Sequence, residues 1–194
     1  MTKTEKDILK KAKNLFGDYG YFGVSMSDIA KKLKITKAAL YYYFKSKREI
    51  YENVIKDVFK NLANEISKAL NEKSSKKRVE KMIKNYVLFG IREKNYLKTL
   101  VFKIKDKKIE NVIQKANEEL KEKMEIVLKE FLEKSKIETE NLEETISFLK
   151  EIINGKILEY HFSKKKLNAE DTTKEIMNYL NQKLFLKIKR SVNN

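Results

Sequence analysis

Lys37, Ala38, Ala39, Tyr41, Tyr42 and Tyr43 stand in one short run, KAALYYY, between Thr36 and Phe44. On a helix, Leu40 and Phe44 fall on one side. That leaves Lys37, Ala38, Ala39, Tyr41 and Tyr42 available on the outer face, with Tyr43 either exposed or packed. The outward set could recognise DNA. A lysine ammonium can donate to guanine O6 or N7, and an alanine methyl can lie against a thymine methyl. The run holds no Arg, Asn or Gln, the residues that make bidentate base contacts. Base readout should therefore be modest, with thymine methyls and DNA deformability supplying much of the specificity.

Three helix starts surround this run. Ser25 and Asp28 form S-x-x-D, a capping box opening a helix over roughly Ser27 to Leu33. Thr36 is the N-cap of the next helix, roughly Lys37 to Phe44, and Ser46 with Glu49 forms S-x-x-E ahead of a third. Each N-terminus presents uncompensated N–H groups and a positive dipole end, which suit phosphate. Ile29, Ala30, Leu33, Ile35, Leu40 and Phe44 make a small apolar cluster, closed by Leu15 and Phe16 of a preceding helix. A generic helical hairpin whose tyrosines merely pack would share some of these features, but not their combination.

The segment resembles the DNA-binding domain of the TetR family of transcriptional regulators. The resemblance rests on Phe22-Gly23, Ser25 to Ala30, Thr36, Leu40-Tyr41, Phe44 and Lys47, and covers about 45 N-terminal residues. It implies that the KAALYYY helix enters the major groove. Carried over by position, Ser25, Tyr42, Tyr43 and Lys47 would contact phosphates. Thr36 would cap the helix or touch the DNA backbone, and Lys37, Ala38, Ala39 and Tyr41 would face bases. Two positions depart from the family pattern. The turn reads Leu33-Lys34-Ile35-Thr36 where glycine is usual, so Lys34 would have to adopt a positive φ if the turn is kept. Ala38 stands where glycine is frequent.

Composition agrees with an all-α chain. Among 194 residues there is no proline and no cysteine, and glycine occurs five times. Without cysteine there are no disulfides, thiolate nucleophiles or Cys-based zinc sites. The single histidine, His161, cannot form a histidine cluster. No nucleophile–base pair, metal-ligand spacing or Gly-rich phosphate loop points to an enzyme, a metal or a cofactor. No apolar run reaches the roughly 18 residues of a membrane span, and MTKTEKDILKKAK lacks a signal core. A cytoplasmic protein without membrane partners is expected. Net charge is +16, from 44 basic and 28 acidic residues, which favours a polyanionic partner. All the basic residues but Arg48, Arg78, Arg92 and Arg190 are lysine, and Asn and Ile are also abundant, so genome bias contributes. Distribution is more telling. Residues 1–50 carry 12 basic and 5 acidic side chains, about twice the net charge density of the remainder.

Periodicity places the other elements. Ile8, Ala12, Leu15, Phe16 and Tyr19 mark the first helix, for which Thr4 and Asp7 offer a capping box. A long helix begins near Lys47. NEKSSKK (71–77) is the clearest loop. A fifth helix holds Val79, Met82, Ile83, Tyr86 and Val87, and a short sixth is expected around Tyr96 to Phe102. The longest stripe runs from Ile109 to Phe131, and two further helices cover about 142–164 and 169–189. The expected architecture is a helix-turn-helix DNA-binding domain over 1–48, then a larger helical ligand-binding and dimerisation domain over 49–194. That makes about nine helices in all.

The resemblance further implies a small-molecule effector pocket and a homodimer on a palindromic operator in double-stranded DNA. Candidate pocket residues are Tyr86, Phe89, Tyr96, Phe102, Met124, Phe148 and Ile152, though aromatic and Met residues at such spacing usually pack a core. The last two helices carry wide apolar stripes that suit a dimer interface, with Gly155, Ile157, Tyr160, Met177, Leu180 and Leu184 as its candidates. Gly155, mid-helix, would fit a close approach or a kink. His161 is expected to be a surface or satisfied histidine. The functional expectation is a DNA-binding transcriptional regulator, a repressor released by its ligand. The alternative is an architectural or partner-regulated DNA-binding protein without an inducer.

Overall fold

A chain without proline has no residue that must interrupt a helix. The computed structural model describes residues 1–93, 104–135, 142–163 and 166–192, with side chains as far as residue 182. Among the described residues there are eight α-helices and no strand, the all-α architecture expected. They are α1 (Lys3–Tyr19), α2 (Met26–Leu33), α3 (Lys37–Tyr43), α4 (Lys47–Ser67), α5 (Ser75–Arg92), α6 (Lys107–Lys134), α7 (Leu142–Ser163) and α8 (Ala169–Val192). A 3₁₀ turn, Lys68–Asn71, follows α4. The short helix expected around Tyr96 to Phe102 lies outside the described residues. No helix among those described is long and apolar enough to cross a membrane.

α1 starts two residues earlier than its sequence suggests. Thr2, not Thr4, is the N-cap: its hydroxyl accepts from Glu5 N at 3.2 Å, and the Glu5 carboxylate accepts from Thr2 N at 2.6 Å. Thr2-x-x-Glu5 and Thr4-x-x-Asp7 both satisfy the capping-box pattern, and the earlier box wins because it satisfies both N–H groups and lengthens the helix. Gly20, at φ 71°, ends it.

The chain forms two compact units. The first comprises Met1–Asn61 with Glu93–Glu118, the second Leu62–Arg92 with Glu119–Asn194. In the first, Ile8, Ala12 and Phe16 of α1, Ile29 of α2, Leu40 of α3 and Ile50, Tyr51 and Val54 of α4 are buried. Full burial of one such aliphatic or aromatic side chain contributes about 1.5–3 kcal/mol. Phe16 meets Tyr51 edge-on, their centroids 5.0 Å apart, and Tyr21 lies 4.9 Å from Tyr51. Burial pushes the Tyr51 hydroxyl up to about 12, so this ring stays neutral. Asp106 accepts from Lys108 N and Ile109 N at the start of α6 and pairs with Arg48 of α4 at 3.4 Å.

In the second unit α5 is buried along Val79, Met82, Ile83, Tyr86 and Val87, and α7 along Ile146, Leu149, Ile153 and Ile157. The two helices meet tightly at Gly90. A Cβ added there would stand 2.2 Å from Ile157 Cδ1 and within 2.9 Å of its Cγ2. Polar groups in this packing are matched. The Tyr86 hydroxyl donates to Asn154 Oδ1 at 3.1 Å, Asn85 Nδ2 to the Glu65 carbonyl at 2.7 Å, and His161 Nε2 to the Gly90 carbonyl at 2.9 Å. His161 is thus a satisfied histidine, as expected.

Gly90→Ala should cost about 1–3 kcal/mol through overpacking against Ile157. Urea unfolding of Gly90→Ala, Ile157→Ala and the double variant checks this. The double variant should lose clearly less than the sum of the singles, because Ile157→Ala removes the atoms a new methyl would strike. Simple additivity would place the strain elsewhere.

Candidate nucleic-acid interface

The outward face of α3 exists because its inward side chains are fixed. Leu40 is fully buried and Phe44 nearly so, while Thr36, Lys37, Ala38, Tyr41 and Tyr42 are exposed. Ala39 and Tyr43 are half-buried. Tyr42 is 85% exposed, far more than packing would leave a tyrosine, so its ring and hydroxyl are available to a partner. Tyr43 braces it edge-on at 5.2 Å. The Lys37 ammonium stands 6.0 Å from the centre of the Tyr41 ring, one helical turn away, so these two exposed groups lie side by side. Thr36 caps the helix as expected, its hydroxyl accepting from Ala39 N at 3.0 Å.

α2 opens with the expected capping box. Ser25 Oγ accepts from Asp28 N at 3.2 Å, and Asp28 Oδ2 accepts from Ser25 N at 2.8 Å and from the Ser25 hydroxyl at 2.6 Å. The Ser25 hydroxyl, followed by its backbone N–H, holds the Asp28 carboxyl below the usual carboxylate range. The hydroxyl proton of Ser25, predicted to serve a phosphate, therefore serves Asp28. α2 ends at Lys34 in the left-handed region, φ 58° and ψ 39°. Lys34 N donates to the Lys31 carbonyl and Ile35 N to the Ala30 carbonyl, both at 3.1 Å, a left-handed helix stop. The turn thus keeps the geometry that glycine usually supplies.

Lys47 stands apart from the other predicted phosphate contacts. Its Nζ donates to the Tyr21 carbonyl at 2.9 Å and lies 4.3 Å from the centre of the Tyr21 ring. Desolvation by this packing lowers its pKa. Sequence reasoning missed Tyr21 as the seat of Lys47; the only hint was an aromatic residue directly after Gly20. At the start of α4, Ser46 Oγ accepts from Glu49 N at 3.2 Å. Glu49 reaches back to Lys45 N, at 2.7 Å, rather than to Ser46 N.

The predicted effector and dimer residues fall into three groups. Tyr86, Phe89 and Met124 are buried in the second unit. Phe148 and Ile152 are half-buried, and Phe148 stacks on Tyr179 with centroids 4.7 Å apart. Tyr96, Phe102 and the side chain of Leu184 lie outside the described residues. Of the residues expected at the interface, Ile157, Met177 and Leu180 are buried within their own chain. Gly155 is exposed, and an added Cβ would meet nothing within 4 Å. Tyr160 is half-buried, its ring edge-on to that of His161 at 4.9 Å.

Residues 8–54 match the family model described as bacterial regulatory proteins, tetR family. The biofilm operon icaADBC HTH-type negative transcriptional regulator IcaR of Staphylococcus aureus is 49% identical over 49 residues, 25% of this chain and 26% of that protein. Its Staphylococcus epidermidis counterpart is 40% identical over 50 residues, 26% of this chain and 27% of that protein. The chain thus spans about a quarter of the length of the curated relatives it matches. Over the whole fold it is similar to the TetR family transcriptional regulator PfmR from Thermus thermophilus. The TM-score is 0.72 at 22% identity, over 86% of this chain and 92% of that one. It is also similar to the transcriptional regulator FadR from Bacillus subtilis, solved in complex with stearoyl-CoA. Here the TM-score is 0.78 at 15% identity, over 89% and 95% of the two chains.

A left-handed backbone costs a side-chain-bearing residue about 1–2 kcal/mol. Lys34→Gly should therefore be more stable than Lys34→Ala by roughly 1 kcal/mol, the comparison cancelling the lost charge. Thermal unfolding of the two variants decides it. Equal stability would mean that the turn does not hold residue 34 in the left-handed region.

Proposed function

We infer that this chain, which belongs to the TetR family of transcriptional regulators, is a sequence-specific DNA-binding repressor that a small-molecule ligand releases from its operator. The observation that carries the reading is the exposed face of α3, held outward by Leu40 and Phe44. Lys37 donates to a guanine edge beside Tyr41, while Ala38 and Ala39 lie against thymine methyls. Tyr42 and Tyr43 turn hydroxyls toward phosphates. The N-terminus of α2 adds its positive dipole end to the same backbone. Ser25 and Lys47 act mainly by fixing the shape of this face, since the Ser25 hydroxyl donates to Asp28 and the Lys47 ammonium to the Tyr21 carbonyl.

One such reader covers half an operator, so the working form is a homodimer on a palindromic site in the cytoplasm. The second unit supplies the effector site, a reading supported by the neighbour of the same fold solved with stearoyl-CoA. Ligand acts by binding more tightly to the conformation whose readers no longer match successive grooves. It can shift the equilibrium only by that difference in affinity.

Selection of binding sites from a random duplex pool should return an inverted repeat rich in A·T steps with an isolated G·C pair in each half. Lys37→Ala should then cost about 1–3 kcal/mol on that site, read by fluorescence anisotropy, and relax the choice at the G·C pair. A loss of equal size on every sequence would make Lys37 a phosphate contact instead.

A further inference from the structure

A second concentration of positive charge lies far along the sequence from α3. In the second unit, α5 and α8 border a cleft of about 580 Å³. That is within the roughly 300–1,000 Å³ of small-molecule sites. Lys76, Lys77, Lys81 and Lys84 line it from α5 and Lys174 from α8. The carboxylates lining it are Glu72, Glu80 and Glu170, of which Glu170 pairs with Lys84. Among the described residues, no carboxylate lies within ion-pair distance of Lys76, Lys77, Lys81 or Lys174.

Lysines without an ion pair among the described residues also occur outside the cleft; the exposed Lys123 and Lys129 of α6 are examples. The cleft differs in gathering five ammonium groups around one concavity, where low-dielectric walls focus their field. Glu170 registers that field. The hydrogen bond from Lys84 and the charges of Lys84, Lys174 and Lys81 hold its carboxyl below the usual carboxylate range. Asn178 and Asn181 also line the cleft, with Met177 and the buried Thr173 at its wall. The amides offer donors and acceptors to an uncharged polar group beside the lysines.

We propose that the α5–α8 cleft is a binding site for a phosphorylated small molecule of nucleotide size. Lys76, Lys77, Lys81 and Lys174 hold its phosphates, and Asn178 and Asn181 meet its polar heterocycle or sugar. A lysine is a mobile point charge rather than a fixed fork, so the site recognises charge more than phosphate geometry. The proposal goes beyond the repressor reading and does not rest on it.

The test is calorimetric titration of the full chain with ADP and, separately, with adenosine, in the absence of DNA. ADP should bind saturably, one per chain, and at least tenfold more tightly than adenosine. Lys81→Glu with Lys174→Glu should weaken ADP at least tenfold, with the circular dichroism spectrum unchanged. Lys81→Met with Lys174→Met should show a smaller loss and serves if the Glu pair perturbs folding. Lys123→Glu with Lys129→Glu makes the same change of charge outside the cleft and should leave ADP binding within twofold. The site is overturned if ADP does not saturate, if adenosine binds equally well, or if both Glu pairs weaken ADP alike. With no DNA in the titration, either result is independent of whether the chain is a repressor.

Discussion

A helix of seven residues does not hold itself together in water, because nucleation costs more than two turns return. α3 persists because Leu40 and Phe44 are buried in the first unit and because Thr36 caps its first turn. Everything on the reading face inherits its position from those three residues. Lys37 and Tyr41 lie one turn apart and exposed, and Tyr42 is left almost bare. Further from the face, Lys47 ties the carbonyl of Tyr21 to the first turn of α4, and the ring of Tyr21 packs on Tyr51 and Phe16. Loosening that aromatic packing would move the loop leading into α2 without touching any DNA-facing side chain.

The second unit rests on tighter contact and on polar groups inside it. α5 can lie close to α7 because residue 90 has no side chain, and the carbonyl of that same residue receives His161. Tyr86 is buried yet donates to Asn154, so its hydroxyl carries no unmet desolvation cost. Around this interior the ion pairs Lys121–Glu143, Lys156–Glu175 and Lys134–Glu130 are at least partly exposed, so solvent and salt screen them. Packing rather than surface charge therefore fixes how these helices meet. Of the lysines lining the α5–α8 cleft, Lys84 pairs with Glu170, and Lys76, Lys77, Lys81 and Lys174 have no ion pair among the described residues.

What was legible in the sequence was local. The Ser25–Asp28 box, the Thr36 cap and the left-handed residue forced on Lys34 are each decided within a few residues, and each stands where the spacing put it. The α1 cap was ambiguous because two overlapping Thr boxes fit the same rule. What depends on distant partners was not legible. A lysine after Phe-x-x reads as a phosphate ligand until Tyr21 is folded beneath it. The wide stripes of α7 and α8 could not tell their own core from a second copy, and Ile157, Met177 and Leu180 went to the core. Nor did the sequence distinguish its glycines: Gly155, mid-helix and conspicuous, faces open space, while Gly90 is pressed against Ile157 and Gly23 against the Tyr19 carbonyl.

The most direct measurement of DNA reading by α3 is the affinity of the full chain for the intergenic duplex upstream of its own gene. A scrambled duplex of the same composition is the control, and both are measured at two salt concentrations. Phosphate attraction alone falls steeply with salt and ignores sequence, whereas base contacts keep their preference. A specific regulator should prefer the upstream duplex at both salts, the ratio persisting as both affinities fall. Equal affinity for the two duplexes, lost together as salt rises, would contradict it.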